Sequence, residues 1–159
     1  MSGGLQRAYR DAIGCFATGV TIVTTTGADG PSGMTTNAVA SLSLDPLLLL
    51  VCFDRGSRTL EVVRSSRRFA VNVLRSDDAD LAVVFASKRI AREKFESVTH
   101  SESHGVPVLD SALAWIACDL RELLPAGDHE IGIGEVIGLG MGAPHDPLVW
   151  FRGAYTTIA

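Results

Sequence analysis

The chain has 159 residues, of which 47% are hydrophobic and 20% charged, and its formal net charge is −4. That composition excludes a disordered chain, and the lack of any basic run makes nucleic acid and anionic membrane surfaces poor partners. No apolar stretch reaches the roughly 18 residues a membrane span needs, and the opening MSGGLQRAYRDAIG has no apolar core before a cleavage site, so no signal peptide is expected.

In chain order, Leu5, Ala8, Tyr9, Ala12, Ile13 and Phe16 fall on one helical face, with Gly19 as the expected stop. Residues 20–26 are β-branched throughout and predict a strand. The turn Gly27-Ala28-Asp29-Gly30-Pro31 leads to a return strand from Gly33, making a hairpin. Proline disfavours helix at the residue before it, so Asp45-Pro46 is extended or in a turn. Residues 47–53 are a continuous apolar run between turn signals and read as a fully buried strand. After the loop Asp54-Arg55-Gly56-Ser57, Ser57 fits the N-cap of a helix from residue 58 to about 65, with Leu60 and Val63 inward. Residues 68–74 alternate Phe69, Val71 and Val73 against Ala70 and Asn72, a strand pattern. Ser76 suits the cap of a helix whose first turn holds Asp77, Asp78 and Asp80, with Leu81, Val84 and Phe85 as its apolar stripe.

Residues 87–114 are the least regular region and read as a long loop, functional or flexible, with a helical turn near Lys94-Phe95. Residues 115–124 predict a strand, Pro125-Ala126-Gly127-Asp128 a turn, and residues 129–139 a long strand. That strand puts Ile131, Ile133, Ile137 and Leu139 on one face, and Gly132, Gly134 and Gly138 on the other mark a close approach or a bend. Residues 148–151 and 154–158 are short strands around Arg152-Gly153. Strands dominate and the helices are few and peripheral. That favours a mainly β, antiparallel barrel over a doubly wound α/β fold, in one domain spanning residues 1–159.

Several clusters have two readings. Thr35, Thr36, Asn37, Ser41 and Ser43 offer polar groups with little bulk, which suits the edge of a flat polar ligand and equally a plain Thr/Ser-rich strand and turn. Residues 54–59, DRGSRT, set two guanidinium forks and two hydroxyls at a helix start, where free N–H groups favour an anion; a capped surface helix is the alternative. His129, at a strand start after a Gly-Asp turn, is a structural residue or a hydrogen-bond donor to a ligand. Gly132-x-Gly134-x-x-x-Gly138 has the wrong spacing and setting for a dinucleotide fingerprint. His100 and His104 have metal-pair spacing, but Gly105 and Pro107 oppose a helix and no third ligand cluster is visible, so they read as solvated loop. Cys15, Cys52 and Cys118 are odd in number and set among apolar residues. They read as buried free thiols in a reducing cytoplasm, neither disulfides nor a metal site. No activated-nucleophile motif is present, which fits chemistry carried by cofactors.

Six blocks also carry a resemblance: Ala17-Thr18-Gly19-Val20, GMTTNAVASLSLDP from Gly33, Ser57-Arg58-Thr59-Leu60, FAVNVL at 69–74, Ala126-Gly127-Asp128-His129, and the PL…RGAY ending. In this order they resemble the flavin reductase-like family. The resemblance implies an FMN-binding split β-barrel that reduces free flavin (FMN, FAD or both) by hydride transfer from nicotinamide C4 of NADH or NADPH to flavin N5. It implies flavin-binding positions at Thr35, Thr36, Asn37, Ala38, Ser41, Cys52 and Phe53. A phosphate grip falls at Arg55, Ser57, Arg58 and Thr59, and further flavin contacts at Ala86, Ser87, Lys94 and Phe95. His129 falls where flavin meets nicotinamide, in an orienting role, and Trp150, Arg152 and Tyr155 on the nicotinamide side. It further implies a homodimer with the site near the interface and a separate flavin-dependent monooxygenase that uses the reduced flavin. A non-catalytic flavin-binding carrier or sensor of the same fold is the alternative reading.

Overall fold

A computed structural model describes residues 2–158. Helix α1 (Ser2–Ile13) is followed by strands β1 (Thr18–Gly19), β2 (Thr21–Gly27), β3 (Gly30–Thr36), β4 (Val39–Leu44) and β5 (Leu47–Asp54). Helix α2 (Arg58–Ser66) and strand β6 (Arg68–Val73) come next, then helices α3 (Ala79–Ala86) and α4 (Ala91–Glu96). Strands β7 (His100–Ser103), β8 (Val106–Leu109), β9 (Ala114–Ala126), β10 (His129–Met141), β11 (Val149–Phe151) and β12 (Ala154–Thr156) complete the order. Among the described residues no helix is long and apolar enough to cross a membrane.

The fold is mainly β. Seven strands form one antiparallel sheet in the order β3-β2-β6-β9-β10-β5-β4. β3 and β4 are its two edges, yet only Asn37 and Ala38 separate them in sequence. Three peptide steps span at most about 11 Å, so the sheet must coil until its edges meet at that corner. Among the described residues no ladder joins the two edges, and the sheet stays open along that seam.

Inside the coil pack Val23, Leu49, Val51, Phe53, Leu60, Val63, Phe69 and Leu120. Phe53 and Phe69 meet edge to face at 5.9 Å, a pairing worth about 0.5–1.5 kcal/mol beyond burial. Gly132 and Gly134 of β10 face these rings. A Cβ at Gly132 would lie 2.6 Å from the Phe53 ring, and one at Gly134 2.7 Å from the Phe69 ring. The inward glycines of β10 therefore make room for two phenylalanines. The apolar run 47–53 is not fully buried as expected. Leu49, Val51 and Phe53 face inward, whereas Leu48, Leu50 and Cys52 are only half-buried on the outer face.

Four further expectations are corrected. The first helix ends at Ile13, where the Gly14 N–H donates to Arg10 O at 2.9 Å; Phe16 lies beyond it and Gly19 falls in β1. Leu5, Tyr9, Ile13 and Phe16 are exposed. Ser76 opens a 3₁₀ turn, Ser76–Asp78, ahead of α3, and the Asp78 carboxylate accepts from Arg75 N and Ser111 Oγ. The apolar stripe of α3 packs as expected, with Phe85 fully buried beside Ala82 and with Leu81 and Val84 half-buried against the same cluster. The region 87–114 is α4 plus a hairpin of β7 and β8. β8 is wholly buried against β2 and β6, and Asn72 ties the three together. Its Nδ2 donates to Ile22 O and Thr24 Oγ1, while its Oδ1 accepts from Leu109 N. Of the cysteines only Cys118 is buried, and burial pushes its thiol up to about 12; Cys52 is half-buried and Cys15 exposed.

Candidate functional site

A long trough follows β3. Its larger part encloses about 1050 Å³ between residues 30–35 of β3, the start of α2, the 85–89 segment and Lys94. A smaller part of about 270 Å³ is lined by Val20, Thr35, Thr36, Asn37, Ala86, Trp150 and Tyr155. The two share Thr35 and Ala86. A strand rises about 3.3 Å per residue, so the trough runs roughly 20 Å along β3. That is large for a small-ligand site, where roughly 300–1,000 Å³ is usual.

The start of α2 forms one wall. Ser57 is the N-cap, in extended backbone, and its Oγ accepts from Thr59 N at 3.2 Å while donating to Met34 Sδ at 3.2 Å. Asp54 shapes the preceding turn, its Oδ1 accepting from Gly56 N at 2.6 Å. Arg58 reaches across the trough, and its Nη2 donates to Lys88 O at 2.6 Å and Arg89 O at 2.9 Å, pinning the loop after α3. Lys94 enters from α4 and is 8% exposed. Its Nζ donates to Gly33 O at 3.3 Å and Phe85 O at 3.0 Å, and it forms no salt bridge among the described residues. Burial, then the nearby Arg58 charge, pushes its pKa below the ordinary 10.5. A buried ammonium facing only carbonyl oxygens is costly unless an anion joins it. The donor set therefore suits a phosphate at the middle of β3.

The other end is neutral and aromatic. Thr35 Oγ1 donates to Ala82 O at 2.6 Å, and Thr36 Oγ1 accepts from Ala38 N at 3.1 Å. Asn37 Nδ2 donates to Thr18 Oγ1 at 3.0 Å. Trp150 and Tyr155 meet edge to face at 4.9 Å, held in the small sheet β1-β11-β12. Burial raises the Tyr155 hydroxyl pKa. His129 opens β10 opposite Asp54, and its Nδ1 lies 2.7 Å from Asp128 Oδ1. That hydrogen bond, reinforced by the imidazole charge, holds the Asp128 carboxyl below the ordinary carboxylate range.

The family described as "Flavin reductase like domain" matches residues 13–159. The chain belongs to the flavin reductase-like family. It is 36% identical over 155 residues to the reductase subunit HsaB of a flavin-dependent monooxygenase from Mycobacterium tuberculosis, covering 96% of this chain and 82% of that one. It is 38% identical over 156 residues to SmoA of Agrobacterium fabrum, named as an FMN reductase (NADH), covering 96% and 86% of the two chains. Its structure resembles that of SgcE6 of Streptomyces globisporus, an NADH:FAD oxidoreductase solved with NAD and FAD fragments. There the TM-score is 0.90 at 31% identity, covering 97% and 93% of the two chains. The chain spans only 48% and 49% of two other curated relatives it matches.

Against the positions that the flavin reductase-like family suggested, the trough brings together Thr35, Thr36, Asn37, Ser57, Arg58, Thr59, Ala86, Ser87, Lys94, Trp150 and Tyr155. The others lie off its walls. Phe53 is shut in the core with no exposed side chain, so a ligand could meet only its backbone. Cys52 faces outward and its N–H donates to Ala38 O; Ser41 is exposed on β4. Arg55 lies 3.8 Å from Glu130. Phe95 is 7% exposed and stacks edge-on with Phe85 and His100, which fixes the helical turn presenting Lys94. Arg152 has φ 49, covers the Phe151 ring at 5.2 Å, and donates its N–H to Gly14 O. His129 stands beside the Asp54 lip without lining it. Sequence reasoning missed the early part of β3, from Gly30 to Met34, and the Lys88-Arg89 pair. The two-residue loop Ala28-Asp29, with Gly27 paired to Gly30, was the available signal that the strand starts earlier.

Proposed function

We propose that this protein is an NAD(P)H:flavin oxidoreductase that reduces FMN or FAD for release to a partner monooxygenase. One observation carries the reading: a single trough joins a neutral, aromatic end to a buried cation that has no counter-charge among the described residues, the layout a ring-bearing phosphate ester requires. The bound pair supplies hydride transfer from nicotinamide C4 to flavin N5. The chain's own part is to bind, orient and exclude water. Lys94 and the cap region of Ser57 and Thr59 hold the phosphate; Thr35, Thr36 and Asn37 border the ring edge; Trp150 and Tyr155 wall the nicotinamide side. His129, fixed by Asp128 at the start of a rigid strand, positions the two rings.

The same reading makes the chain one domain and its coiled sheet a split barrel, supported by the two-residue link between the sheet edges. It makes the protein a cytoplasmic homodimer. Free thiols at Cys15 and Cys52 support a reducing compartment. Exposed Leu5, Tyr9, Ile13 and Phe16 near the N-terminus, with Leu44, Leu139 and Met141 on the sheet, support a second copy as cover. The deciding experiment mixes the protein with NADH and FMN and follows the nicotinamide absorbance band. Flavin-dependent NADH oxidation is expected; flavin binding without NADH consumption would make the protein a carrier or sensor instead.

A further inference from the structure

Glu130 is a buried charge to which the mechanism above gives no task. It follows His129 on β10 and pairs with Phe53 of β5. Its side chain lies on the inner face of the sheet with Gly132 and Gly134 and is 11% exposed. One oxygen, Oε1, faces two guanidinium groups. It accepts from Arg64 Nη2 at 2.9 Å and lies 3.8 Å from Arg55 Nε. Arg64 is in the last turn of α2, and Arg55 lies in the turn that leads into that helix. Burying a carboxylate is costly unless its partners are held in place.

Two parts of the site meet at this carboxylate. α2 carries the phosphate wall at Ser57 and Thr59 and packs on β2 and β3. His129 belongs to β10, which three strands, β2, β6 and β9, separate from β3 in the sheet. The β5–β10 ladder reaches Asp54 opposite His129, and Arg55 N donates to Asp128 O at 3.1 Å. Beyond that bond the chain turns through Gly56 and enters α2. There Glu130 grips the turn through Arg55 and the helix through Arg64.

Resting on the flavin reductase reading, we propose that Glu130 is a positioning residue for hydride transfer, acting through Arg55 to keep the phosphate wall in register with His129. A flavin held by its phosphate presents its ring where that wall puts it, and His129 meets the nicotinamide where β10 puts it. The ion pair sets the one against the other. It also accounts for Arg55 lying off the trough, because its guanidinium is turned to the carboxylate.

Glu130→Gln keeps the size of the side chain and removes its charge. Rates of NADH oxidation are measured with FMN and with riboflavin, which has no phosphate for the wall to hold. FMN turnover is expected to fall about tenfold, from misplacement of the reacting rings, with equilibrium FMN affinity within about twofold of wild type and riboflavin turnover unchanged. In an Arg55→Met background the same substitution is expected to have no further effect. Equal losses with both flavins, or a loss with neither, would overturn the proposal. So would the same loss repeated in the Arg55→Met background, which would trace the effect to Arg64. Tighter FMN binding by Glu130→Gln would make Arg55 a phosphate ligand that the carboxylate restrains, and would also overturn it. Should thermal melts show that Glu130→Gln does not fold, Arg55→Met alone decides. A lower ratio of FMN to riboflavin turnover with FMN affinity kept supports the register; an unchanged ratio, or a lower one with weakened FMN affinity, contradicts it. A wild-type protein that oxidises no NADH with either flavin contradicts the flavin reductase reading itself, whereas flavin-dependent oxidation that Glu130→Gln leaves unaltered removes the positioning role alone.

Discussion

The middle and the ring end of the trough are built by opposite means. At the middle, charge is buried: the Lys94 ammonium faces two carbonyl oxygens and no carboxylate, and Arg58 is spent on the loop after α3. At the ring end, charge is absent and small polar side chains already bond one another or the backbone, Thr35 to Ala82, Thr36 to Ala38, Asn37 to Thr18. Among the described residues the middle thus has no carboxylate to balance its charge, while the ring end is shaped in advance. This suggests that affinity comes chiefly from the phosphate and geometry chiefly from the ring end.

The largest expected effect at the ring end is kinetic. His129→Ala should lower turnover or raise KM for NAD(P)H by up to about a hundredfold, because small misplacements of reacting rings are costly, while equilibrium flavin affinity changes less. Steady-state kinetics with a thermal melt on the same variant decide this; wild-type kinetics in a destabilised protein would make His129 purely structural. At the middle, Arg58→Ala should act indirectly. Loss of its hold on Lys88 and Arg89 is expected to weaken FMN and riboflavin alike by about fivefold and to lower Tm. Weakening confined to FMN would instead make Arg58 a direct phosphate ligand.

A smaller effect follows from the lowered Lys94 pKa. In the free protein the folded state sheds this proton before the unfolded state does, so stability should rise with pH between the lowered value and 10.5. Phosphate binding needs the charged form, so FMN affinity should fall over that same window. Opposite slopes in melts and in FMN titrations are the expected outcome; parallel slopes would contradict a phosphate at Lys94.

Much of this was legible because it is local. The Ser57 cap and the helix it opens, the β-branched strand β2 and the turn before His129 each follow from a few adjacent residues. What escaped is set at a distance. A run of leucines gives no sign of which alternate residues face inward, and the pleat turns the side chain of Phe53, a flavin-binding position by resemblance, into the core. His100-Ser101-Glu102-Ser103 has no apolar alternation, and only its pairing with the buried β8 makes it a strand. Arg58 carried the signature of an anion ligand, but the carbonyls it binds lie thirty positions away. The uncompensated burial of Lys94 depends on Gly33 and Phe85 converging on it, which spacing alone does not reveal.

The claim that the anion end lies at Lys94 is tested most directly by one comparison: Lys94→Met titrated with FMN and with riboflavin, which lacks the phosphate. The variant should bind FMN about ten- to a hundredfold more weakly, the range of a charge-assisted hydrogen bond, and bind riboflavin as the wild type does. Equal losses for both ligands, or none for either, would contradict it.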